Sequence, residues 1–164
     1  MERVPINDTG LDIDDDRLVM RQVTDQIVIH HTGNPTDDDL SAAEINESHM
    51  RQGWSCIGYH YVIRKDGTVE IGRPHWTVGA HAYRHNSHTI GVHVCGNFEI
   101  GEPTSEQIES TAMLLANICA DYGLSIDRDT IVGHRELMST ACPGANLFVQ
   151  MDEIVGKANF YANQ

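Results

Sequence analysis

The feature that most constrains this chain is an alternation of short β-branched runs with segments of helical period. Ile27 to His31, Thr89 to Cys95 and Thr130 to Val132 read as interior strands, and Gly58 to Arg64 with Thr68 to Ile71 reads as a hairpin turning at Lys65-Asp66-Gly67. Ser41 with Glu44 makes a capping box that opens a helix to about Gln52, placing Ala42, Ile45 and His49 on one stripe. Thr104 with Gln107 opens a longer helix in which Ile108, Ala112, Leu115, Cys119 and Tyr122 recur at the helical period, and Gly123 ends it. A last helix is expected from Asn146 to about Asn159. Strands separated by helices and one hairpin predict a single α/β domain, a central mixed β-sheet flanked by helices. The 164 residues fit one such domain. Residues 1–25 read as an acidic extension packed on a unit spanning residues 26–164.

Charge and cysteine usage narrow the function classes. A net charge of −13 with eleven Lys and Arg argues against nucleic acid, whose phosphates require a basic surface. No run of eighteen apolar residues occurs, so no membrane partner is expected. The first twenty residues carry charges throughout and lack the apolar stretch of a secretory signal, which predicts cytoplasmic synthesis. The aspartates at 14–16 and 37–39 lack the alternating spacing of a calcium loop and read as solvated surface charge. Four cysteines are too few and too unevenly spaced for a disulfide framework. Cys95 and Cys119 read as small buried hydrophobes, whereas Cys142 stands in a Thr-Ala-Cys-Pro-Gly loop where no period demands an apolar residue.

The stretch QIVIHHTGN, Gln26 to Asn34, ends in adjacent histidines. Side chains alternate along a strand, so Ile27, Ile29 and His31 share one face while Val28, His30 and Thr32 share the other. At most one of the pair serves a given site. A catalytic zinc takes three protein ligands and leaves a fourth position open. His134 and Cys142, separated by RELMSTA, could meet on one ion with His30, with Pro143 extending the backbone at the cysteine and Gly144 letting the chain turn away. Ten histidines make coincidence easy, and spacing alone leaves both readings open. On the residues alone, Tyr59 and Tyr61 share a strand face as packing residues with a polar tip, and His60 and His93 read as structural. Glu136 reads equally as an orienting partner of His134 or as solvated charge, and Trp54 and Trp76 as groove walls or core plugs.

VIHHT (28–32), WSCIGYHYVIRKDGTVEIGR (54–73), VGAHAYRHNSHTIGVHVCGNF (78–98) and GHRELMSTACPG (133–144) together resemble the zinc-dependent N-acetylmuramoyl-L-alanine amidases, the family that includes phage lysozyme-type amidases and peptidoglycan recognition proteins. The resemblance runs in order from about Gln26 to Leu147. It implies zinc held by His30, His134 and Cys142, with Tyr59 as the catalytic tyrosine. The family's second catalytic position, two before the cysteine, is Lys in phage enzymes and Thr in many recognition-protein amidases; here it is Thr140. Contacts to the muramyl peptide fall on His49, His81 and Asn86. The implied activity is hydrolysis of the amide between N-acetylmuramic acid and L-alanine in peptidoglycan, by a monomer. The implied role is a phage or prophage endolysin acting on the wall after release, or a cytoplasmic enzyme acting on recycled fragments. The alternatives are a peptidoglycan-binding module without catalysis and a zinc peptidase cutting the stem peptide.

Overall fold

The computed structural model describes residues 1–164. Its centre is a six-stranded sheet built from β1 (Ile6–Asn7), β2 (Gln26–His31), β3 (Tyr61–Ile63), β4 (Val69–Ile71), β5 (Thr89–Val94) and β6 (Ile131–Gly133), in the order β1-β4-β3-β5-β2-β6. Only β3 and β4 run antiparallel; the other neighbours are parallel. The mixed α/β sheet expected from the sequence is the one observed.

Both capping boxes form. Ser41 accepts from the Glu44 N–H at the start of α1 (Ala42–Arg51), and Thr104 accepts from the Gln107 N–H at the start of α2 (Ser105–Tyr122). Gly123 ends α2 in the left-handed region, φ 66°, a conformation that costs glycine nothing. The last helix differs from expectation, for it divides into α3 (Ala145–Phe148) and α4 (Met151–Ala162). The Gln150 side-chain amide donates to the Asn146 carbonyl, the acceptor its own backbone N–H would use in a continuous helix, and that N–H turns to Leu147 instead.

The ladder of β3 is shorter than the apolar run, because Gly58 passes against the Ala80 carbonyl, where a Cβ would lie 2.1 Å from the oxygen. Regular alternation therefore begins only at Tyr61. Tyr61 packs on the main core and Tyr59 on the other side of the sheet, which corrects the shared face expected for the pair. No period announced β1, which pairs with β4 while Arg3 grips Asp121 through two hydrogen bonds.

The two faces of the sheet carry different chemistry. On one, α2 and α4 cover a cluster of 21 buried residues to which β2 contributes Ile27 and Ile29. On the other, α1 covers only a six-residue cluster and leaves the ends of β2 and β5 lined with histidines. Asp37 and Asp39 are not idle surface charge either: Asp37 accepts from the Asn97 N–H, and Asp39 holds Arg64 and the Lys65 N–H. All four cysteines are unpaired, with Cys95 and Cys119 buried as expected.

Candidate metal centre and its groove

Parallel register brings the first two candidate ligands together. Ile29 of β2 pairs with Gly133 of β6, so His30 and His134 follow side by side at the ends of adjacent strands, where functional groups collect in open α/β sheets. Their rings lie 4.5 Å apart. The loop after His134 folds back through an Arg135 N–H to Cys142 O hydrogen bond of 2.8 Å and delivers the thiol. His30 Nδ1 and Cys142 Sγ stand 3.6 Å apart, and the donor atoms of His30, His134 and Cys142 all lie within 4.8 Å of one another. Such a His2Cys set suits a divalent cation with a further position open.

Burial sets the protonation of the cluster. Desolvation, with smaller contributions from neighbouring rings, holds His30 well below the ordinary imidazole range, and burial lowers His134 as well, so both offer neutral lone pairs. The Cys142 thiol is pushed up to about 12 by burial, against the pull of the His31 N–H, which donates to Sγ at 3.4 Å, and of Arg135. A bound cation reverses that balance, since it favours the thiolate. His31 faces away, as strand alternation requires: its ring stacks on Phe98 and its Nδ1 accepts from the Phe98 N–H.

Tyr59 stands at the junction of this cluster and a groove of ≈ 460 Å³ along α1. Its ring lies 5.0 Å from that of His30 and 4.6 Å from that of His93. Burial raises its phenol above the ordinary range, so the group remains a hydrogen-bond donor. His49, Glu44, Ser48, Thr32 and His93 line the same groove. His49 accepts from the Gly58 N–H through Nδ1, and burial lowers its pKa to about 4. His93, read from the sequence as structural, both supports Thr32 and forms groove wall.

The remaining candidates are placed differently. Thr140 is exposed on the returning loop, and its hydroxyl accepts from the Cys142 N–H. Asn86 uses Oδ1 to hold the His81 and Ala82 N–H groups, both at 2.9 Å. His81 is 9% exposed and lies behind His30 rather than on the groove. Glu136 accepts from the Gly133 N–H and from Arg128, bracing the end of β6. Thr89, which sequence reasoning passed over, touches His81. The available signal was Gly91 inside TIGVHVC, since an isolated glycine in a strand marks a close approach by another group.

The fold and this constellation define a class: an α/β protein with a His2Cys cluster able to hold a metal ion beside a polar groove. The family model described as N-acetylmuramoyl-L-alanine amidase matches residues 20–145, and the chain belongs to that family. It is 32% identical over 132 residues to an endolysin of Klebsiella phage KP32, covering 80% of this chain and 87% of the phage protein. It is 35% identical over 130 residues to a peptidoglycan-recognition protein of Drosophila melanogaster, covering 76% of this chain and 71% of the insect protein. Among solved structures, the endolysin N-acetylmuramoyl-L-alanine amidase LysCS from Clostridium intestinale superposes with a TM-score of 0.86 at 32% identity, over 96% of this chain and 97% of that one.

Proposed function

We propose that this protein is a zinc-dependent N-acetylmuramoyl-L-alanine amidase that hydrolyses the amide between the lactyl group of N-acetylmuramic acid and L-alanine in peptidoglycan. The observation that carries the reading is the convergence of His30, His134 and Cys142 beside Tyr59 in a chain of the amidase family. The donor set fits zinc: bonds of ~2.0 Å to nitrogen and ~2.3 Å to sulfur in a tetrahedron separate the two donors by about 3.5 Å. The His30 Nδ1 to Cys142 Sγ distance agrees, at 3.6 Å.

When bound, zinc polarises the scissile carbonyl and acidifies a water toward a pKa of about 7. The chain's own groups do the rest. Tyr59, kept protonated by burial, donates to the oxygen on which charge develops as the amide becomes tetrahedral. Thr140 joins it in the catalytic set from the returning loop, bracing the backbone at Cys142 through its hydroxyl. The groove beside Tyr59 aligns the stem peptide, with His49 in its wall, and Asn86 holds the loop that follows the hairpin. We assign catalysis to residues 26–164 and treat residues 1–25 as a clasp on that unit.

The phage relatives named endolysins support a role in wall lysis. The reading accordingly includes a monomer made in the cytoplasm of the producing cell that meets the wall after release. No helix is long and apolar enough to cross a membrane. Mass spectrometry of digested sacculi tests the chemistry: muramic acid residues with free lactyl carboxylates and intact peptides beginning at L-alanine are the expected products. Peptides cut internally would make the protein a peptidase, and undigested sacculi that retain the protein would make it a binding module.

A further inference from the structure

A chain of hydrogen bonds behind the metal centre has a determined direction. Thr89 Oγ1 donates its single proton to the His85 carbonyl at 2.7 Å. Toward His81 Nε2, at 3.2 Å, the hydroxyl therefore only accepts, which places the His81 proton on Nε2. His81 Nδ1 is then a bare acceptor, and it lies 2.9 Å from His30 Nε2. His30 must carry its own proton on Nε2, which leaves Nδ1, the atom facing Cys142 Sγ, with a free lone pair.

The backbone is shaped for this arrangement. The His81 ring lies over Gly91 of β5, where a Cβ would sit 2.6 Å from Cγ, and beside Gly79, where a Cβ would sit 2.7 Å from Cδ2. Two glycines thus open a slot for one imidazole, and Asn86 fixes the backbone that carries it. The ring is buried with both nitrogens engaged, an arrangement suited to orienting a neighbour and unsuited to reading a ligand in solvent.

We propose that His81, with Thr89 behind it, is a positioning residue that locks His30 in the tautomer able to ligate the metal through Nδ1. The proposal rests on the metal reading given above and assigns His81 to the metal centre rather than to the muramyl peptide. It is tested in the full-length protein by zinc competition against a chromophoric chelator and by imidazole 15N shifts of the metal-free protein. The expected result is an Nε2–H tautomer at His30, with zinc affinity weakened about 10- to 100-fold in both Thr89→Val and His81→Leu. His81→Asn, which keeps an acceptor near the Nδ1 position, is expected to recover part of that loss. Thr89→Val removes one hydroxyl at constant shape, so the test survives if His81→Leu does not fold. An Nδ1–H tautomer at His30, or wild-type zinc affinity in folded Thr89→Val and His81→Leu, overturns the proposal. So does a rise in KM alone with zinc affinity unchanged, which would return His81 to the substrate. Wild-type protein that takes up no zinc overturns the metal reading itself, and this inference with it.

Discussion

His30 and His31 are neighbours in sequence and belong to different environments. His31 lies on the side packed by α2 and α4, where its ring stacks on Phe98 and its polar atoms serve the backbone. His30 lies on the side where apolar packing gives way to His81, His93, His134 and Tyr59. One face is aliphatic and supplies most of the hydrophobic stabilisation; the other buries polar rings, each of which must find a partner. A half turn of the strand separates stability from chemistry, and substitutions on the two faces should fail in different ways.

The sharpest break of that contrast is Cys142→Ser. It should leave the fold in place and abolish turnover, by more than the ~100-fold that loss of an outer partner of a metal ligand costs. Zinc content and amidase rate, measured on one preparation, check it. Leu115→Ala probes the opposite face: this α2 side chain is fully buried in the main core, and its truncation should cost about 3 kcal/mol in urea unfolding. Turnover per folded molecule should be unchanged, and a loss of turnover at full folding would show the faces to be coupled. Tyr59→Phe should lower kcat ~100-fold with little change in stability or zinc content. Near-normal turnover would remove the phenol from the mechanism.

The smallest effect is in pH dependence. Burial lowers His49 from 6.5 to about 4, and His60 and His93 to about 3. Between 6.5 and those values the unfolded chain holds protons that the folded protein refuses, so the unfolded state binds more protons and stability falls as pH drops through the window. The thermal midpoint of the metal-free protein should decline from about pH 6.5 toward about 4. A flat profile would mean that these rings are solvated, and that the two faces differ less than described.

Much of this was legible from residues alone because the signals were local. Each capping box spans four residues, and Gly123 announces its own turn. Strand alternation set His30 apart from His31 and the Thr-Ala-Cys-Pro-Gly loop set Cys142 apart from the buried cysteines, while the grouping of both with His134 followed from the family resemblance and was left open by spacing. What escaped depends on register or on a single side chain. β1 is two residues long and gains its place only by pairing with β4. The last helix divides where the Gln150 side-chain amide, in place of its backbone N–H, reaches the Asn146 carbonyl. The position of His81 behind His30 requires β5 beside β2 with Gly91 beneath the ring, a relation that no spacing along the chain expresses.

The return of Cys142 to His30 joins segments 112 residues apart. An ion gripping both, together with His134, would act as a removable cross-link between a central strand, the end of its neighbour and a surface loop. In the free chain those groups are scattered, so such an ion would favour the folded state by mass action, by about 2.7 kcal/mol at a hundredfold excess over its dissociation constant. Chelation would then loosen the molecule as well as silence it, and zinc supply would govern how long the protein survives among proteases.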